Sequence, residues 1–364
     1  MIYLDHAATT PICDAAKKAI IDHLDDFGNP SSVHELGRKA RLLIENARER
    51  IAKCINAEPD KIYFTSGGSE ANSLALNEWR PIASNIEHHS IISDSIIKVD
   101  KNGDISAQEV DQCIQNENPR YYFPIEVCSC MYVNNEIGKI LPVKELAEAA
   151  HNNMTWFHTD AVQAVGHIPI DITHINCDML SASGHKFGGP KGIGFMYVTN
   201  GIPIIPLING GKQENGFRPG TENVLGIISM AAALEDAVEH MDERNQHIKY
   251  LRDKMLDKLL QIPGSHLNGS LENRVVSNIN IRFDGVSGAR LVTLCSLYGI
   301  YISSGSACNE GTPTPSHVLK AIGLSNKQAL SSIRITLGHE NTEEEIDTAA
   351  DIITKLVERI RNDG

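Results

Sequence analysis

Helix-period and strand-period segments take turns along the first two thirds of this chain, and that alternation restricts its fold more than any single motif. Ala40, Leu43, Ile44, Ala47, Ile51, Cys54 and Ile55 follow the three–four spacing of an amphipathic helix, which Asn56-Ala57-Glu58-Pro59 ends. Lys61 to Thr65 then reads as a strand, Ser66-Gly67-Gly68-Ser69 as a turn, and Glu70 to Asn77 as the next helix. Further strands are predicted within Ile125 to Val133, from Thr155 to Thr159, from Met179 to Ser181 and from Ile193 to Val198. Strands this apolar, separated by helices, predict an α/β unit with a largely parallel, buried sheet.

The pattern changes in the last third. A long charged helical stretch is predicted from Ala231 to Leu260. Beyond it, Val276, Asn278, Asn280 and Arg282 alternate with Ser277, Ile279, Ile281 and Phe283, which predicts a half-buried strand. Ser331 to Leu337 predicts another. Thr342 and Glu345 form a capping box for a final helix whose apolar face is Ile346, Ala349, Ala350, Ile353, Val357 and Ile360. This last part reads as a smaller α+β domain.

A chain of 364 residues is long enough for two domains. Its 41% hydrophobic and 22% charged residues argue against disorder. Thirty-three Lys and Arg against 46 Asp and Glu leave a net charge of −13, so no membrane association and no direct nucleic-acid binding are expected. The longest apolar stretch, Val224 to Leu234, is too short to span a bilayer. Met1 to His6 carries no basic or apolar leader, so no secretory signal is expected. None of the eight cysteines has C-x-x-C spacing, so no metal site is expected, and a reducing cytoplasmic location is. Cys128 and Cys130 would share one face of a strand, as small buried hydrophobes.

Several segments could carry chemistry. Gly67 and Gly68 let backbone N–H groups approach an anion, Ser69 adds a hydroxyl, and the following helix presents its positive end. The same turn would serve equally well as a plain strand-to-helix connection. No phosphate-binding G-x-x-x-x-G-K-[ST] occurs, and the turn lacks a dinucleotide G-x-G-x-x-G. Lys186, at a strand end beside glycines, Ser183 and His185, could be a Schiff-base nucleophile if it is desolvated. Asp160 ends a strand, with Gln163 three residues on, and could pair with a protonated ring nitrogen or simply cap a helix. By default His88 and His89 are surface histidines. Cys308 lies at the edge of a Gly/Pro/Thr loop, which favours a reactive thiol. Arg334, inside a predicted strand, needs a partner, and a carboxylate clamp is the natural one.

Taken together these segments resemble the cysteine desulfurases of the NifS/IscS-like group, in the class V aminotransferase family. The resemblance runs in order through Tyr3-Leu4-Asp5-His6-Ala7-Ala8-Thr9-Thr10-Pro11, Phe64-Thr65-Ser66-Gly67-Gly68-Ser69-Glu70, Glu87-His88 and Val133-Asn134-Asn135-Glu136-Ile137-Gly138. It continues through His158-Thr159-Asp160-Ala161-Val162-Gln163, Ser183-Gly184-His185-Lys186, Arg218-Pro219-Gly220-Thr221, Ser304-Gly305-Ser306-Ala307-Cys308 and Ser332-Ile333-Arg334.

The resemblance implies the fold type I of pyridoxal-phosphate-dependent transferases. A large domain over 14–250 would hold a mostly parallel central sheet flanked by helices. Residues 1–13 together with 251–364 would form the smaller domain that carries the cysteine loop. It implies pyridoxal 5'-phosphate carried by Lys186, paired at its ring nitrogen by Asp160 and at its phenolic oxygen by Gln163, with His88 stacked on the ring and moving protons. Gly68, Ser69, Ser183 and His185 would hold the phosphate, and Thr221 would reach the phosphate of a neighbouring subunit in a homodimer. Asn135, also counted among the cofactor contacts, would hold the substrate carboxylate with Arg334. Cys308 would be the nucleophile that takes sulfur from L-cysteine, leaving L-alanine, and passes it to an acceptor protein of iron–sulfur cluster assembly, tRNA thiolation or another pathway. A selenocysteine lyase or a class V aminotransferase on the same fold is the alternative. Lys212 and Asn215 depart from the family pattern, and so does Pro313, which would stiffen the loop after Cys308.

Overall fold

The computed structural model describes residues 1–77, 79–91, 93, 95–117, 126–304 and 314–363. Cys308 and Pro313 therefore lie outside the described residues.

Among the described residues, twelve strands form three sheets. They are β1 (Ile2–Tyr3), β2 (Ile62–Thr65), β3 (Pro81–Ser84), β4 (Ser95–Ile97), β5 (Val127–Ser129), β6 (Trp156–Asp160), β7 (Met179–Ser183), β8 (Gly194–Val198), β9 (Ser265–Leu267), β10 (Asn278–Phe283), β11 (Ile300–Tyr301) and β12 (Ser332–Thr336). The largest sheet has the order β2-β8-β7-β6-β5-β3-β4. Only β8 runs against its neighbours, pairing antiparallel with both β2 and β7. The strands from β7 to β4 are parallel. Strands β2, β6, β7 and β8 are almost wholly buried, because helices cover both faces, and this is why β2 and β8 read as apolar runs rather than alternations.

The helix Glu35–Cys54 shows how local sequence sets an element. His34 caps it by accepting from Gly37 N, and Ala40, Ile44, Ala47 and Ile51 bury one face. That face joins Phe157, Phe195 and Leu180 in the main core. A second core gathers Ile2 and Leu4 with Leu251, Ile281, Phe283, Ile335 and the apolar face of the last helix. That helix, Glu343–Asn362, opens with the predicted box, Thr342 and Glu345 each bonding the other's backbone N–H. Ile346, Ile353 and Val357 are fully buried, worth about 1.5–3 kcal/mol each.

Two predicted elements differ. The stretch Ala231 to Leu260 is two helices, Val224–Glu239 and Met241–Leu260, separated at His240. No glycine or proline marks the break; the His240 backbone leaves helical geometry with φ −103° and ψ 11°. Strand β10 is not half-buried, for only Arg282 is partly exposed. Its polar face meets protein instead of water: the side-chain amides of Asn278 and Asn280 each donate to Glu136 O at 3.1 Å, and Asn268 donates to Asn280 Oδ1 at 2.7 Å.

Short bridges tie the two-stranded sheet β1-β11 to β12 of the three-stranded one. Ser303 and Arg334 exchange backbone hydrogen bonds of 3.0 and 2.6 Å, and Asp5 pairs with Thr336. The helix His317–Ala321 sends Val318 and Leu319 into the main core.

Candidate active site

The strand ends of the large sheet open into a cavity of about 330 Å3, within the usual range for small-molecule sites. Gly68, Ser69, His88, Asn135, Asp160, Gln163, Ser183, His185, Lys186 and Arg334 all line it, with Ala7, Ala8 and Asn72. The structure thus brings together ten residues widely separated in sequence. Thr221 is exposed and does not line the cavity of its own chain, and Cys308 lies outside the described residues. His88 and His89 part company here: only His88 lines the cavity.

The turn after β2 is shaped by close approach. Gly67 has φ +155°, and a Cβ on Gly68 would lie 2.5 Å from Val162 Cγ2. The helix Gly68–Leu76 therefore starts against the end of β6, its first N–H groups toward the cavity beside Ser69, Ser183 and His185. Glu70 fixes the turn from outside: it accepts from Ser66 N at 3.0 Å and pairs with Arg218 at 2.9 Å.

Asp160 ends β6 and is only 4% exposed. Its oxygens accept from Val162 N at 2.9 Å and from the Asn72 amide at 2.7 Å. Burial pushes its carboxyl up, against the pull of those bonds, of His88 and of Lys186. Among the described residues it is a buried acid with hydrogen bonds but no directly bonded cation. Lys186 follows β7 and donates to Ala7 O at 2.6 Å and to Ala8 O at 2.9 Å. Two neutral carbonyls do not offset its desolvation. Burial, with Arg334 nearby, brings its ammonium down to about 8. Gln163 also donates to Ala7 O, at 2.9 Å. Burial, then Lys186 and Lys191, bring His185 down to about 4, so its ring is neutral at pH 7.

The opposite wall is Arg334, from the middle of β12. Its Nη2 donates to Asp5 Oδ1 at 2.9 Å and its Nη1 to Asn135 O at 2.8 Å. Among the described residues its buried Nε has no hydrogen-bond partner. The clamp expected for this arginine is therefore partly filled by Asp5.

Sequence reasoning assigned no role to Asn72, Ser90 or Asp5. A signal existed for Asn72: it is a polar residue on the buried face of its helix, beside Ala71, Leu74 and Ala75. Among the described residues, no cluster of three His, Cys, Asp or Glu is arranged to hold a metal ion.

The donor set fits pyridoxal phosphate. A glycine-lined helix start with two serines suits a phosphate, a desolvated amine suits an aldehyde, and a buried acid suits a ring nitrogen that carries a proton. The Arg334 guanidinium, which lines the cavity, suits a substrate carboxylate.

Comparison with known proteins agrees with this chemistry. The sequence model of the family Aminotransferase class-V matches residues 2–348. The chain is 39% identical to the cysteine desulfurase IscS of Methanosarcina thermophila, over 99% of this chain and 93% of that protein. Among solved structures, a NifS-like protein superposes with a TM-score of 0.89 at 34% identity, covering 98% of this chain and 99% of its own. SspA in complex with cysteine superposes with a TM-score of 0.79 at 32% identity, covering 94% of this chain and all of its own.

Proposed function

The chain belongs to the class V aminotransferases, a family of pyridoxal-phosphate enzymes, and we propose that it is a cysteine desulfurase. It converts L-cysteine to L-alanine and passes the sulfur, through a persulfide on Cys308, to an acceptor protein. The observation that carries this reading is the cavity itself. One wall offers a desolvated Lys186 amine and the buried Asp160, and the other offers Arg334.

When bound, pyridoxal phosphate supplies an electron sink for the substrate α-carbon. In this reading Lys186 and the ring-nitrogen partner Asp160 hold it, with Gln163, His88 and Asn135 around the ring. Gly68, Ser69, Ser183 and His185 hold its phosphate. Arg334 and Asn135 orient the substrate carboxylate, and Asp5 keeps the guanidinium aimed. The free Lys186 amine takes the α-proton. The Cys308 thiolate attacks the substrate sulfur: an S–S bond forms, the Cβ–S bond breaks, and protonation of the carbon left behind gives alanine.

The same reading includes a homodimer and a cytoplasmic location. Ile21, Phe27, Val33 and Leu42, on two consecutive helices and the turn between them, are 66%, 81%, 88% and 69% exposed, and a second copy would cover them. Thr221 would then serve the partner's cavity. Among the described residues the cysteines are unpaired, and no helix is long and apolar enough to cross a membrane. The division into 14–250 and 1–13 with 251–364 belongs to this reading too, supported by the two cores.

The test is alanine and sulfide release from L-cysteine under a reducing thiol. Wild type should yield the two in equal amounts, and Cys308→Ser should yield neither while keeping its cofactor. Alanine from Cys308→Ser at the wild-type rate would refute the persulfide route.

A further inference from the structure

His88 lines the cavity, yet its ring is wired to the protein through one nitrogen. Ser90 N lies 3.1 Å from His88 Nδ1, and Ser90 Oγ lies 2.7 Å from it. A backbone N–H can only donate, so Nδ1 must present a lone pair. The hydroxyl is oriented by its other neighbour: the Asn72 amide donates to Ser90 Oγ at 2.9 Å. The same amide donates to Asp160 Oδ2 at 2.7 Å. A carboxylate oxygen accepts, which fixes the NH2 side of Asn72 toward Asp160 and Ser90. With its oxygen accepting from Asn72, the Ser90 hydroxyl turns its own proton to His88 Nδ1.

We propose that Asn72 and Ser90 are positioning residues that fix His88 as the neutral tautomer with its proton on Nε2. His88 then acts as a fixed hydrogen-bond donor and not as a proton carrier, and Lys186 is left as the base. This refines the desulfurase reading, on which its catalytic meaning rests, and departs from the proton-moving role expected for His88.

Protonating Nδ1 would require both Ser90 donors to turn away. Releasing the Nε2 proton from a neutral ring would leave an imidazolate, a far costlier species than the free Lys186 amine. The α-proton therefore goes to the Lys186 amine, and the resulting ammonium returns it. The groups facing the ring are Asp160, Lys186, His89 and His317. Burial, then His89 and Lys186, lower the His88 imidazolium, and only Asp160 opposes them. A neutral imidazole used as an oriented donor is a known catalytic device.

The experiment reads the ring directly. The full-length protein is labelled with 15N-histidine, with and without pyridoxal phosphate, and His88 is assigned by its loss in His88→Gln. The expected spectrum at pH 8 shows a protonated Nε2 and an unprotonated Nδ1, and the ring becomes imidazolium only below its ordinary range. Ser90→Ala, which keeps the backbone donor, should leave the proton on Nε2 and raise the His88 pKa by about half to one unit, the worth of one hydrogen bond. Ser90→Thr, which keeps the hydroxyl, should restore the wild-type value. A proton on Nδ1 of wild type at pH 8, a wild-type His88 midpoint at or above 6.5, or a Ser90→Ala titration identical to wild type would overturn the proposal. The spectrum is independent of turnover. Failure of the desulfurase reading would instead appear as no alanine from L-cysteine with the tautomer intact.

Discussion

The two walls of the cavity handle charge in opposite ways. On the wall built from the large sheet, Asp160 is buried and Lys186 half-buried at strand ends, and among the described residues their hydrogen-bond partners are neutral: Asn72, Val162 N and the carbonyls of Ala7 and Ala8. Their charged forms are costly there, so their proton affinities move toward neutrality. On the wall built from the small sheet, Arg334 is tied at both side-chain ends, to Asp5 and to Asn135 O, and its backbone is locked to Ser303. On the proposed reading, the less paired groups would react and the paired arginine would recognise.

The sharpest way to break this contrast is to remove the unpaired amine. Lys186→Ala should lose the visible absorption of the bound cofactor and lower turnover of L-cysteine by about 1,000-fold or more. A variant that kept its colour and lost less than about tenfold would show that the reactive group lies elsewhere.

The second test uses pH. Because Lys186 is lowered to about 8, its reactive free amine grows as pH rises and levels off above that value. The cofactor-free protein should regain colour with added pyridoxal phosphate about 50-fold faster at pH 8 than at pH 6, the ratio of free-amine fractions. A rate still climbing tenfold per unit beyond pH 9 would mean an ordinary, solvated lysine.

The third test concerns the paired wall. Arg334→Lys keeps the charge and loses the planar fork. KM for L-cysteine should rise about tenfold, the worth of one charge-assisted bond, with kcat within about threefold of wild type. A fall in kcat at constant KM would move Arg334 to the reactive side of the comparison.

These contrasts were unequally legible in sequence. The alternation of periods gave the parallel sheet, because strands buried on both faces leave continuous apolar runs. Lys186, Asp160 and Arg334 could be singled out because each is a charged group at a strand end or within a strand. The Asn72–Ser90 chain could not, since its members lie in different elements and neither has an unusual local setting except Asn72 on its helix face. The burial of Asn278 and Asn280 was hidden for a similar reason. Alternation tells which residues share a face, not whether that face meets water or the Glu136 carbonyl. The break at His240 has no sequence signal of the glycine or proline kind.

The smallest effect tests whether the paired wall also contains a misplaced charge. Glu136, next to Asn135, is 5% exposed, and burial pushes its carboxyl up to about 7, against the pull of Ser316 and Arg334. Ser316 Oγ donates to its Oε2 at 2.5 Å and caps the helix His317–Ala321, so this acid anchors the chain just beyond the segment that carries Cys308. A carboxyl whose folded pKa is raised above the unfolded 4.5 binds its proton more tightly when folded. Its stabilisation is complete below about pH 4.5 and is lost as pH rises through about 7. Between pH 6 and pH 8 this group alone should cost wild type about 1.4 kcal/mol. Glu136→Gln keeps an oxygen for Ser316 and cannot ionise. Urea unfolding at the two pH values should therefore show a fall in stability that is smaller by about that amount in the variant. An equal fall in both proteins would mean that Glu136 is already ionised at pH 6 and paired with Arg334, which would make this wall paired throughout.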